Sequence, residues 1–115
     1  MIDAARLTDS GVIEIAEIDV IPGQEGAFVE AVVLAEPHFK AAQGCRSFAL
    51  LRSEEYPQRF RLTVGWDTVA DHLERFRNSD GFAAWRALVS PYFATPPRVE
   101  HVTTALQGFV QDRRN

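Results

Sequence analysis

A base, a cation and an indole lie close together in the stretch RLTVGWDTVADHLERFRNSDGFAAWR, residues 61–86. His72 falls in an apolar stripe with Val69, Leu73 and Phe76, and Arg86 falls in a second stripe with Phe82, Trp85, Val89 and Phe93. Positions spaced i, i+3, i+4, i+7 share one helix face, so both polar groups are expected to point inward. An imidazole with an ordinary pKa of about 6.5 suits a general base. A guanidinium in a dry site stabilises a developing oxyanion, and the indole of Trp66 stacks on an aromatic ring or donates its N–H. Each residue also has a structural reading. His72 can be a buried histidine bonded to a backbone carbonyl, and Trp66 a core aromatic. Arg86 can snorkel from a helix end or pair with Glu74 or Asp80, because an unpaired buried charge costs several kcal/mol.

Four strands and two helices must position these groups. Val12 to Ile21 is rich in β-branched residues and reads as a strand ended by Pro22-Gly23. Its two faces are both largely apolar (Ile13, Ile15 and Ile21 against Val12, Ala16, Ile18 and Val20), the pattern of a central strand covered on both sides. Gln24 to Ala42 turns helical, with Phe28, Ala31, Val32, Ala35 and Phe39 on one stripe. Pro37 should kink or restart it, and Gly44 ends it. Strands follow over Arg46–Arg52 and Arg59–Trp66, the latter with Phe60, Leu62, Val64 and Trp66 on one face. Thr68-Val69-Ala70-Asp71 has capping-box form, and Ser79 is an N-cap for a second helical piece, so the second helix is split. Arg98 to Leu106 reads as the last strand. The order β-α-β-β-α-β predicts an α+β, ferredoxin-like, four-stranded antiparallel sheet with its helices on one face. A second copy of the chain is the simplest cover for Ile13 and Ile15 on the other, which predicts a homodimer.

Composition narrows the function classes. The 115 residues suit a single domain, read here as a leader over 1–11, a folded body over 12–106 and a polar tail over 107–115. Twelve basic against 16 acidic side chains leave a formal charge of −4, which argues against nucleic acid or an anionic membrane as partner. No apolar run has the length of a membrane span, and no signal-peptide pattern opens the chain. Cys45 is the only cysteine. It excludes an internal disulfide, fits a reducing, cytoplasmic setting, and reads as a small buried hydrophobe rather than a catalytic thiol. There is no phosphate loop, dinucleotide fingerprint, CxxC or nucleophile elbow. His38, His72 and His101 lack the i, i+4 spacing of a helical metal site, so neither metal nor cofactor is expected.

With the strand RLTVGW, the split helix DHLERFRNSDGFAAWRAL and the closing PPRVEHV, the chain resembles the antibiotic biosynthesis monooxygenase (ABM) superfamily over roughly residues 12–106. The resemblance implies a dimeric α/β barrel. Among its branches, the cofactor-free, quinone-forming oxygenases of polyketide pathways look closest. Trp66 matches their Trp at the end of the third strand, and Arg86 matches their Arg in the later helix segment. His72 stands where they carry a Tyr, and Leu62 stands where they carry an Asn. The haem-degrading branch fits less well, since its helical Trp falls at Phe76 and its haem-ligating His near Trp85 and Arg86. On the family's fold, Trp66, His72 and Arg86 are the catalytic candidates of a pocket between sheet and helices. Leu62, Val64, Phe76, Phe82 and Trp85 line it, and His101 is a further ligand contact that otherwise faces solvent or the dimer seam. The implied ligand is a small phenolic or polyketide-like aromatic, with O2 as co-substrate, because a phenolate gives an electron to O2 without flavin or metal. The same base and cation would also serve a non-redox enolising enzyme, and the same pocket a non-catalytic ligand-binding dimer.

Overall fold

Alternating apolar residues in the strands and a single apolar stripe on each helix leave one way to exclude water, helices laid on one side of a sheet. The computed structural model, which describes residues 11–113, has this form. Strand β1 (Val12–Asp19) leads to helix α1 (Glu25–Lys40), then to β2 (Cys45–Arg52) and β3 (Arg59–Trp66). A π-helical turn (Asp71–Arg75) and a 3-10 turn (Phe76–Asn78) precede helix α2 (Asp80–Val89), and β4 (Arg98–Val102) closes the sheet. The strand order is β2-β3-β1-β4 with all three ladders antiparallel. This is the α+β, ferredoxin-like arrangement expected from the element order. Among the described residues no helix is long and apolar enough to cross a membrane.

The core lies between the helices and one sheet face. From α1 it takes the predicted stripe Phe28, Ala31, Val32, Ala35 and Phe39. From β3 it takes Phe60, Leu62, Val64 and Trp66, each at most 1% exposed. Each such side chain contributes roughly 1.5–3 kcal/mol of transfer free energy. Phe39 centres an aromatic cluster, with ring centroids 4.8 Å from Phe48, 4.6 Å from Phe76 and 5.1 Å from Trp85.

Several boundaries differ from the sequence reading. β1 stops at Asp19, because Val20 donates its N–H to Gln58 and Ile21 to Tyr92, which turns the chain out of the ladder. β4 ends at Val102 rather than Leu106. Pro37 neither stops nor restarts α1, which continues to Lys40. So close to the helix end, its missing N–H removes a single ladder bond. β1 is central, as expected, but within one chain only its helix side is covered, and Ile13 and Ile15 remain partly exposed on the other. That outer face carries a ladder of ion pairs in which Arg59 meets Asp19, Arg61 meets Glu17, and Arg98 meets both carboxylates. The leader expected over residues 1–11 lies, apart from Gly11, outside the described residues, as do the last two residues of the tail.

Two local devices fix the split helical region. Asp71 N–H donates to Thr68 Oγ1 at 3.1 Å, the first bond of the capping box read from the sequence, while the Asp71 carboxylate accepts from the Thr68 hydroxyl at 3.0 Å rather than from its backbone N–H. Ser79 accepts from the Phe82 N–H and starts α2, also as read. Gly44, at φ +81°, packs directly against the Asp71 carboxylate, with no room for a Cβ. Gly44→Ala is therefore expected to lower stability by about 1–3 kcal/mol through backbone strain and displacement of Asp71. Urea unfolding at neutral pH measures this, and a loss below a few tenths of a kcal/mol would contradict the packing described.

Candidate functional site

The helix-facing side of β1 alternates Val12, Glu14, Ala16 and Ile18, which puts one carboxylate in an otherwise apolar row. Glu14 is 5% exposed, His72 3% and Trp66 0%. A buried carboxylate needs hydrogen-bond donors, and three neighbouring elements supply the surroundings. From β3, Trp66 donates its indole N–H to Glu14 Oε1 at 3.0 Å. From the π-helical turn, His72 Nε2 lies 3.3 Å from the same oxygen. From β4, where His101 is the register partner of Glu14, His101 Nε2 approaches His72 Nδ1 to 2.8 Å. The His72 ring lies nearly parallel to the Trp66 indole, 14° between planes and 5.4 Å between centroids. The π-helical turn makes this placement possible: the Phe76 N–H reaches both Asp71 and His72 carbonyls, and His72 and Phe76 are both turned inward. Such widened turns recur at functional sites.

Electrostatics follow from burial. Desolvation raises the Glu14 carboxyl above its ordinary 4.5, opposed by the Trp66 hydrogen bond and the Arg77 cation. His72 is pushed down to about 4, first by burial and then by His101 and Arg77, and His101 is lowered by burial and by Arg77. Both histidines are therefore neutral at pH 7, and the 3.3 Å approach of His72 Nε2 to Glu14 is not an ion pair. The Cys45 thiol is pushed up to about 11, chiefly by burial, and is no nucleophile.

Beside this cluster opens a cleft of about 850 Å³. Ala16 and Ile18 of β1 and Val99 of β4 form its floor, and Glu14 and His72 border it. Phe82, Trp85 and Arg86 of α2 form one wall, and the segment from Phe93 to Pro97 the other. Arg77 and Arg86 are exposed and line the cleft where it meets solvent. Neither makes an ion pair among the described residues, although the Arg86 guanidinium stands 5.9 Å from the Phe82 ring centroid. Among the described residues, no group of three or more His, Cys, Asp or Glu side chains is disposed to hold a metal ion.

The structure redistributes the residues expected from sequence. His72 is inward, and its hydrogen-bond partner is His101 rather than a backbone carbonyl, with Glu14 3.3 Å from its other ring nitrogen. Arg86 is not inward: α2 presents it to solvent at the cleft mouth, and it pairs with neither Glu74 nor Asp80. Trp66 is inside, but it is wholly buried and reaches the site only through Glu14 and His72. Leu62, Val64 and Phe76 belong to the core beneath and do not line the cleft, because α1 and the helical turn cover them. Phe82 and Trp85 do line it. His101 faces His72. Sequence reasoning missed Glu14 and Arg77. Glu14 carried a readable signal, a lone carboxylate in register with Val12, Ala16 and Ile18, whereas nothing in Phe76-Arg77-Asn78 marked Arg77.

A ferredoxin-like sheet with a buried acid and histidine beside a cleft under its second helix has the concave, partly apolar form in which small-molecule sites occur. The chain belongs to the antibiotic biosynthesis monooxygenase family, whose sequence model matches residues 11–88. It is 47% identical to a Bordetella bronchiseptica protein of that family, whose crystal structure superposes with a TM-score of 0.81 over 83% of this chain and 97% of the other. It is 32% identical to the uncharacterized protein YczJ of Bacillus subtilis (strain 168), over 76% of this chain and 93% of that protein. Rv0793 of Mycobacterium tuberculosis, at 21% identity and TM-score 0.70 over 85% of this chain and 98% of the other, shares the fold.

A raised carboxyl pKa gives a definite pH signature. The proton on Glu14 stabilises the folded state below the unfolded pKa of about 4.5, and that contribution is lost as pH rises through the higher folded value. Glu14→Gln removes this titration. The melting temperature of Glu14→Gln minus that of the wild type should therefore rise between pH 4.5 and 7.5. The His72 contribution, present above about 6.5 and lost towards pH 4, is common to both proteins and cancels in the difference. A flat difference would place Glu14 in a hydrated environment, and a falling one would mean that the folded site favours its charged form.

Proposed function

We propose that the protein is a cofactor-free monooxygenase that oxidises a small phenolic or enolic aromatic compound in the cleft between α2 and the sheet. The observation that carries this reading is the buried Glu14–His72–His101 cluster at the edge of an aromatic-walled cleft, with two guanidiniums at its mouth that make no ion pair among the described residues. Proton acceptors, an apolar cavity and external cations are the three things needed to make and hold a phenolate. Arg77 and Arg86 draw in an anion and stabilise its charge. Phe82 and Trp85 stack on its ring. The anion then transfers an electron to O2, and recombination at the para carbon followed by loss of water gives the quinone. In balance, one C–H and one O–H of the ring plus O2 become two C=O groups and one water. Electrons come from the substrate itself, so Trp66 serves by holding Glu14 and His72 in place rather than by touching the ring.

Family membership supports a small-molecule oxygenase, and fold alone does not set a reaction. Proton removal is equally the first step of enolisation, and the absence of a polar side chain at Leu62 favours keeping that second reading. Oxygen consumption separates them. With 1-naphthol and anthrone probes, the protein should consume O2 and release quinone in the presence of chelator and without added flavin; carbonyl isomerisation without O2 uptake would favour the enolising enzyme. Arg86→Leu should leave the melting temperature within about a degree or two, since an exposed cation without a partner holds little structure. It should weaken binding of the phenolic anion about tenfold, equivalent to about 1.4 kcal/mol. Unchanged affinity would remove Arg86 from the site.

The same reading includes a homodimer formed through the outer sheet face. Ile13, Ile15 and Leu51 lie there beside the Arg59, Arg61 and Arg98 ion-pair ladder, an apolar patch rimmed by charge. Light scattering at micromolar concentration should return twice the chain mass, and a stable monomer would exclude the assembly.

A further inference from the structure

Resting on the reading of the cleft as a site of proton removal, we infer that Glu14 is the proton store of the site, loaded from the bound compound through His101 and then His72. The chain of contacts has a fixed direction. Glu14 Oε1 accepts from Trp66 Nε1–H at 3.0 Å, which anchors the carboxylate as an acceptor. His72 turns one ring nitrogen, Nε2, to that oxygen at 3.3 Å and the other, Nδ1, to His101 Nε2 at 2.8 Å. A lone pair on His72 Nε2 would be repelled by the Glu14 oxygen only 3.3 Å away, so Nε2 carries the proton and Nδ1 a lone pair, and His101 Nε2 must donate. That leaves His101 Nδ1 as a lone pair with no hydrogen bond among the described residues. His101 is the partly exposed end of the cluster, two residues from Val99 on the cleft floor and on the same side of β4.

Three proton shifts then run in line. The O–H bond of the bound compound breaks, its electron pair stays on oxygen, and the proton bonds to His101 Nδ1. His101 gives its Nε2 proton to His72 Nδ1, and His72 gives its Nε2 proton to Glu14. One proton has moved from the compound to Glu14, the compound is an anion, and the cluster has gone from one negative charge to none. Both imidazoles end neutral, each with its tautomer reversed. No oxidant or co-reactant takes part. The groups facing Glu14 are His72 from the helical turn, Arg77 from the turn after it, the Cys45 thiol from β2 and, through His72, His101 from β4. Stopping the proton on a histidine would add a second cation near Arg77 while leaving an anion buried at Glu14; carrying it through removes both charges from a dry site. The raised Glu14 carboxyl and the depressed His72 agree with that order of protonation.

The test uses the intact protein and protons alone. In a nitrogen-15 and carbon-13 NMR titration from pH 8 to 5, His72 and His101 should begin as Nε2–H tautomers. They should switch to Nδ1–H as the Glu14 carboxyl takes up the proton, with no imidazolium signal at His72. In Glu14→Gln the switch should vanish and His101 should charge instead. Imidazolium at His72 with an unchanged Glu14 signal, or an Nδ1–H tautomer of His72 already at pH 8, would overturn the proposal; both are read in the wild type, whatever the stability of the variant. Oxygen consumption reports on the oxygenase and the tautomer switch on the proton store, so failure of one is distinguishable from failure of the other.

Discussion

A carboxylate placed in the covered face of a sheet has to find hydrogen-bond donors or remain protonated. Glu14 imposes that condition on everything near it. It faces inward because β1 alternates and Ala16, Ile18 and Val20 in the same row are buried. Its neighbours are then constrained to supply an N–H, which Trp66 does from the last position of β3, while His72 from the turn that follows brings Nε2 to 3.3 Å of the same oxygen. Two polar groups only six residues apart thus converge on one oxygen from strand and helix.

That convergence depends on how the chain leaves β3. Arg46 makes a two-armed bond to Asp67 at the strand end, Gly44 admits Asp71, and the Thr68–Asp71 capping box starts the helical turn. The turn then widens to π-helical geometry, which carries His72 over the indole while Phe76 still reaches the aromatic cluster around Phe39. A regular α-helical turn would rotate successive side chains by a different angle and separate these two tasks. The split between the π-helical turn and α2 is what leaves the cleft open on one side of His72, with α2 standing off as its wall.

The two faces of the sheet differ in kind. The helix side is dry and nearly all apolar, so burial raises the pKa of Glu14 and lowers that of His72. The outer side carries exposed ion pairs, which are worth little individually but set a pattern of charge around Ile13 and Ile15. Close likeness to the Bordetella bronchiseptica protein extends over this whole body and fixes family and fold. The chemistry must still be argued from the residues of the site.

Periodicity alone determined the elements, the stripe of α1, the caps at Thr68 and Ser79 and the order that gives this sheet, because these are local or nearly local consequences of side-chain spacing. It also identified His72, Trp66, Phe82 and Trp85 as inward. It could not decide Arg86, since a helix rotated by a few tens of degrees moves an i+4 position from the core to solvent, and the rotation of α2 is set by Trp85 packing on Phe39. Nor could it assign Leu62, Val64 and Phe76 to core rather than cleft, because both are apolar and only the position of the covering helices separates them. The pairing of Glu14 with His72 and His101 joins residues 14, 72 and 101 through sheet register and a π-helical turn, and neither is written in any window of sequence. Tertiary packing alone brought those three groups together, for a carboxylate, two imidazoles and an indole become one close-packed cluster only where water has been excluded around them.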